Sequence, residues 1–181
     1  LEKKEWQKNS QFIAGTVEET ASLLLPILSE KSIEQIVNIQ RDLSIHLKQQ
    51  PIPLLNKTIN SLCSSGYILG IVTNDLVDPT TTQLIEHKIF SQFQLILGQD
   101  SGYGSKPSPG PLLAFCKQFN LKVEEVIMVG DSVHDLIAAK KAQILGIGVL
   151  TGLASKSDLM KHSNHVLLDI SKLPAWLNKH S

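Results

Sequence analysis

The sequence is poor in aromatics, which make up 5% of its 181 residues, and it carries only two cysteines. Cys63 and Cys116 lie far apart among apolar neighbours, so buried thiols are expected rather than a disulfide framework or a zinc site. Net charge is missing as well. The 17 Lys and Arg balance the 17 Asp and Glu, which removes the broad positive field expected of a nucleic-acid binder. No apolar run approaches the ~20 residues that span a bilayer; the longest, with its glycines counted, is Ile144 to Leu150. Internal repeats and low-complexity stretches are also absent. A cytoplasmic protein without membrane or nucleic-acid partners is expected. No methionine precedes Met128, and Leu1 opens the sequence, so the expectation is that it begins inside a longer natural chain.

What is present is ordinary for a globular protein: 42% hydrophobic and 19% charged residues. The length suits one sizeable domain, or a core plus a small accessory domain. Residues 1–50 predict helices, because Val17, Ala21, Leu24, Leu25 and Leu28 recur at helical spacing, as do Ile33, Ile36, Val37, Gln40, Ser44 and Leu47. Thr16-x-x-Glu19 and Ser32-x-x-Gln35 have the form of capping boxes, whose side chains satisfy N–H groups left unpaired at a helix start. Pro51 and Pro53 mark a boundary.

Beyond residue 52 the pattern alternates. Leu54 to Cys63 predicts a helix closed by Gly66. Tyr67–Val72 is short, apolar and continuous, as in a strand buried on both faces. Asp78-Pro79 predicts a helix start with Asp78 as cap. Further strands are predicted at Phe93–Leu97, Val126–Val129, Ile144–Leu150 and His165–Leu168. Helices are predicted from Ser108-Pro109 to Phe119, from Ser132 to about Ala142, and around Trp176. Such alternation argues for an α/β fold: a doubly wound parallel sheet with helices on both faces and a separate helical piece in front.

Reactive groups of open α/β sheets gather past the carboxyl ends of the strands. Those positions here hold Thr73-Asn74-Asp75, then Lys106-Pro107, then Gly130-Asp131-Ser132-Val133-His134-Asp135. A hydroxyl, an ammonium and paired carboxylates suit phosphoryl transfer. The hydroxyl, backbone N–H groups and fixed cation stabilise charge spread over phosphate oxygens. Carboxylates suit a hard, oxygen-loving Mg²⁺.

Each element has a plainer explanation when taken alone. Ser132-x-x-Asp135 fits a capping box, Thr73-Asn74 suits any strand-to-loop turn, and Lys106 suits a solvated surface. His134 fits a solvent-facing position in a first helical turn, His162 and His165 fit loops, and Trp6 and Phe12 fit helix packing. The sequence leaves open whether Asp100 or His134 takes part. The specificity lies in the order and spacing of the three segments together.

Val72-Thr73-Asn74, Lys106-Pro107 and Gly130-Asp131-Ser132-x-x-Asp135 resemble the second, third and fourth motifs of haloacid dehalogenase superfamily hydrolases. The likeness covers roughly residues 52–178. It is nearest the phosphoglycolate phosphatase-like branch, which shares the texture of Lys106-Pro107-Ser108-Pro109 and Gly148-Val149-Leu150-Thr151-Gly152. The resemblance implies a Rossmann-like hydrolase core at 51–181 with a small helical cap, of which 1–50 is part. It implies a magnesium-dependent phosphatase for a small phosphorylated metabolite, monomeric or homodimeric, working through an aspartyl-phosphate. Thr73 and the Asn74 amide would bind the phosphoryl group, Lys106 would offset charge on nucleophile and phosphate, and Asp131 would ligate Mg²⁺ with Asp135 in support, directly or through water.

The family's first motif, an Asp-x-Asp at the end of a strand, is not found among the 17 acidic residues. The expectation is that this central strand, with its nucleophilic aspartate, lies in a segment outside the sequence, between the strands near 67–73 and 126–130. The alternatives are a non-catalytic binding scaffold of the same fold, a sugar-phosphate mutase, or a dehalogenase. Asp131 and Asp135 count against the last, since such dehalogenases generally lack the magnesium pattern.

Overall fold

The computed structural model describes residues 12, 15–46 and 50–180. The positions of Trp6 and Leu47 lie outside them. Helices α1 (Val17–Leu24) and α2 (Ile33–His46) form the leading pair, and no strand occurs among the described residues of this part. Both start as their local sequence dictates. Thr16 Oγ1 accepts the Glu19 N–H at 3.1 Å while the Glu19 carboxylate accepts the Thr16 N–H at 2.8 Å. Ser32 and Gln35 exchange the same reciprocal bonds. Two donors are thereby satisfied at each helix start.

The pair is tied to the rest at two places. The Gln99 side chain accepts the Val17 N–H at 2.8 Å and donates to Glu18. On the other helix, Arg41 pairs with Asp78.

The remainder alternates as expected: α3 (Leu55–Ser64), β1 (Gly70–Val72), α4 (Val77–Glu86), β2 (Leu95–Leu97), α5 (Gly110–Phe119), β3 (Ile127–Gly130), α6 (Val133–Ala142), β4 (Leu145–Val149), α7 (Lys156–Leu159), β5 (Val166–Leu167) and α8 (Leu173–His180). All strand pairs are parallel, but the described strands form two sheets. One has the order β1-β2, with Ile71 opposite Ile96; the other has the order β3-β4-β5, with Val129 opposite Ile147.

Helices cover both faces. Leu112, Phe115 and Cys116 of α5 pack with Ala138, Ala139 and Ala142 of α6 on one side. On the other, Leu62 of α3 and Leu173 and Leu177 of α8 close over Ile147. Ile59, Leu84 and Ile89 join α3 to α4. The burial of Cys116 pushes its thiol pKa up, as suits a packing residue; Cys63 is half-buried. No helix among the described residues is long and apolar enough to cross a membrane.

Two expectations need correction. Tyr67–Val72 does not form a strand buried on both faces. Only Gly70–Val72 is strand, Tyr67 and Ile68 are exposed, and Ile71 and Val72 are half-buried. Among the described residues β1 has a hydrogen-bonded neighbour on one side, β2. Nor does Asp78 cap α4. Leu76 is the N-cap residue and supplies no side-chain bond; Asp100, 23 positions on, accepts the Val77 N–H at 3.1 Å instead.

Half-buried β3 and the buried end of β4, residues 147–149, make a testable contrast. Ile147 is 0% exposed, so Ile147→Ala is expected to cost about 2–5 kcal/mol of unfolding free energy. Val129→Ala, at a half-buried position, should cost visibly less; equal losses in urea titrations would contradict the layer assignment.

Candidate active site

Lys106 occupies the loop between β2 and α5, and its backbone is gripped before its side chain acts. Asn74, at the end of β1, accepts the Lys106 N–H at Oδ1 (2.8 Å) and donates from Nδ2 to the Lys106 carbonyl (2.9 Å). This two-point amide clamp fixes where the lysine starts. The ammonium then reaches the Val72 carbonyl at 2.7 Å and the Asp135 carboxylate at 2.7 Å. Val72 ends β1, and Asp135 lies in the first turn after β3. One side chain therefore brings the carboxyl ends of both sheets to a common point.

Asp135 is placed by its own helix start. Its Oδ2 accepts the Ser132 N–H and the Ser132 hydroxyl, both at 2.9 Å, while Ser132 Oγ accepts the Asp135 N–H at 3.3 Å. The capping box and the charged role coexist: Oδ2 closes the helix and Oδ1 receives the ammonium. The pair is well buried, with side chains 12% exposed for Lys106 and 5% for Asp135. Space for it depends on a glycine, since a Cβ at Gly130 would fall 2.3 Å from the Asp135 carboxyl carbon.

Asp131 sits one residue past β3 and is half-buried. Burial pushes its pKa up, the neighbouring Asp135 charge pushes it further, and Lys106 opposes both. Thr151, past β4, offers its hydroxyl at 3.4 Å, and Gly152 packs so closely that a Cβ there would meet the Asp131 carboxyl carbon at 2.6 Å. On the β1 side, Thr73 Oγ1 accepts the Asp75 N–H at 3.1 Å.

The structure thus brings Lys106 and Asp135 into contact, sets Asp131 beside them, and places Thr73 and Asn74 at the strand end that Lys106 touches. It gives Asp135 to the lysine and the helix start. Asp100 belongs to the start of α4, and His134 lies half-buried in the first turn of α6. Sequence reasoning missed Thr151, although it stands in the Gly148–Gly152 stretch, because a lone threonine after a strand carries no distinctive signal.

Comparison with known proteins decides the family. The haloacid dehalogenase-like hydrolase pattern matches residues 2–149. The chain belongs to this family. Phosphoglycolate phosphatase of Neisseria meningitidis serogroup A is 36% identical over 150 residues, covering 83% of this chain and 60% of that protein. The phosphoglycolate phosphatase of Colwellia psychrerythraea is 35% identical over 105 residues, covering 56% and 45%. The chain spans about half the length of the curated relatives it matches.

Among solved structures, a hydrolase from Pseudomonas syringae superposes with a TM-score of 0.71 at 22% identity, covering 88% of this chain and 77% of that one. An L-2-haloacid dehalogenase from Xanthobacter autotrophicus superposes at 0.70 with 13% identity, covering 91% and 76%. Both share the fold, a Rossmann-like α/β core.

The ionised form of Asp131 opposes folding. A carboxyl whose folded pKa lies above its unfolded value binds its proton more tightly when folded, so its ionised form destabilises the native state. That penalty is absent below the unfolded carboxylate range and grows as pH rises through the folded value. Asp131→Asn is therefore expected to raise the thermal midpoint at pH 7 in chelator, with the gain shrinking as the pH falls below the ordinary carboxylate range. A lowered midpoint at pH 7 would contradict the electrostatic account of Asp131.

Proposed function

We propose that the chain carries the phosphate-binding and metal-binding side of a magnesium-dependent phosphatase that hydrolyses a small, phosphoglycolate-like phosphomonoester. The observation that carries this is the Lys106 ammonium, held between Val72 O and Asp135 at 2.7 Å each where the two sheets meet. A fixed cation at that point, with Thr73 at the same strand end, suits the negative charge of a transferring phosphoryl group. Residues 1–50 act as part of a helical cap, and residues 51–181 as the core.

The donor set suits Mg²⁺. Asp131 is a hard oxygen donor whose ionised form is held at a cost, and a divalent cation beside it relieves that cost. Among the described residues no three His, Cys, Asp or Glu side chains gather as a ligand cluster. Mg²⁺ needs few of them, because it usually keeps several waters and takes one or two carboxylates plus phosphate oxygens. When bound, the ion neutralises phosphate charge. Asp131 would hold it, Asp135 would keep Lys106 charged and aimed, and Asn74 would fix the lysine's backbone. Thr73 and the Asn74 amide would bind phosphoryl oxygens.

The nucleophilic aspartate of this reading stands on a strand between β1 and β3. Support comes from the two-piece sheet and from the half-buried residues of β1 and β3, compared with Ile147, Gly148 and Val149 of β4, all buried. Lys106 would lie beside that aspartate, where the covalent phosphoryl intermediate forms.

The natural full-length protein should release phosphate from small phosphomonoesters with Mg²⁺ and lose that activity in excess chelator. Lys106→Ala should lower kcat by about 10²–10³, the typical loss of one preorganised charge stabiliser. Because it strands a buried carboxylate, it should also cost about 3–5 kcal/mol of stability. Asp131→Asn, which keeps the fold, separates the two effects: it should raise the Mg²⁺ requirement. Full activity in chelator would overturn the proposal.

A further inference from the structure

Between the second half of α6, the start of β4 and the segment joining α7 to β5 lies a cavity of about 390 Å³. Leu145 opens β4 and His165 immediately precedes β5, so the cavity sits at the amino ends of the parallel strands. Lys106, Asp131 and Asp135 stand at the opposite, carboxyl edge. The walls are set by the protein itself. Ser163 Oγ donates to the Gly146 carbonyl at 2.6 Å and accepts the His165 N–H at 3.0 Å, which pins the loop to β4. Trp176 of α8 holds the His165 ring edge-on, with centroids 5.0 Å apart. Leu136 and Ile144, both buried, also line the cavity and tie it to the core.

The polar lining is one-sided. Lys140, Lys161, His162, Asn164 and His165 contribute to it, and no Asp or Glu does. Lys161 is already paired with Asp158 at 3.1 Å. Lys140 has no carboxylate partner among the described residues, and the side chains of His162, Asn164 and His165 have no hydrogen-bond partner there. Each of these groups can donate an N–H. Leu145 and Met160 line the same cavity and are exposed, at 42% and 53%. Unpaired donors thus stand beside uncovered apolar surface in a cavity of small-molecule size, which spans about 300–1,000 Å³ in general.

We propose that this cavity binds a small organic anion, whose phosphate or carboxylate meets Lys140, His162 and Asn164 while its apolar ring or chain covers Leu145 and Met160. A cation of the same shape would face two ammonium groups. A neutral molecule would leave the charge of Lys140 uncompensated, and a bare inorganic anion would leave the apolar surface wet. The site is separate from the phosphatase reading, since none of its residues belongs to the candidate active site.

The test titrates the natural full-length protein, labelled with ¹⁵N and kept in chelator, and follows its amide resonances. The probes are phenylphosphonate, whose C–P bond a phosphomonoesterase does not cleave, benzylamine and benzyl alcohol. Phenylphosphonate is expected to move the amides of residues 144–146 and 160–165 with a dissociation constant below about 1 mM. The two ring compounds without an anion should bind there at least about tenfold more weakly. Lys140→Ala, at an exposed position, should weaken phenylphosphonate by about tenfold or more, the scale of one charge-assisted contact. Met160→Ser, also exposed, should weaken it by a smaller factor through lost apolar cover. Shifts confined to residues 73–75, 106 and 131 overturn the inference and leave the phosphatase reading intact. Equal affinity for benzylamine, or an affinity unchanged by Lys140→Ala, overturns it as well.

Discussion

The contact between Lys106 and Asp135 is the constraint around which the carboxyl edge of the core is arranged. Neither group is sufficiently exposed to be solvated on its own, with side chains 12% and 5% exposed. Each therefore depends on the other and on extra hydrogen bonds: the Val72 carbonyl for the lysine, Ser132 for the aspartate. Buried pairs of this kind gain little stability relative to well-packed apolar residues of the same volume. Their retention is better understood through placement. Here a charge is set between two sheets that share no hydrogen-bonded strand pair among the described residues.

Placement is achieved in tiers. Asn74 fixes the lysine's main chain by two hydrogen bonds, the Ser132 capping box fixes the aspartate's side chain, and only then do the charges meet. Asp131 stands beside this arrangement, and burial, with the Asp135 charge added, raises its pKa. The edge therefore contains one carboxylate paired with the lysine and one whose ionised form is disfavoured by burial and by its neighbour's charge.

What could be read from the sequence was whatever is local in the chain. The boxes at Thr16, Ser32 and Ser132 each join residues three apart, and all three form. The strand–helix alternation was equally legible, because apolar runs and their breakers need no partner to be seen. The order Thr73, Lys106, Asp131 pointed to one edge because parallel topology sends each strand end there. What stayed hidden depends on partners far along the chain. Asp100 supplants Asp78 at the start of α4, Gln99 holds the start of α1, and the Asn74 side chain spans 32 positions to reach Lys106. The short, half-buried β1 was also misjudged, since an apolar run does not reveal whether both flanks find neighbours.

The close approach of Gly130 to Asp135 has a consequence in the genetic code. All single-base missense changes at a glycine codon introduce a residue with a Cβ, and a Cβ at this position lies 2.3 Å from the carboxyl carbon on which Lys106 depends. Position 130 thus has no viable one-step neighbour among coding sequences unless Asp135 shifts first, and that shift would uncouple the lysine. The two sites are bound to drift together, so Gly130, five positions before Asp135, becomes free to change only in a lineage that has already relinquished the ion pair.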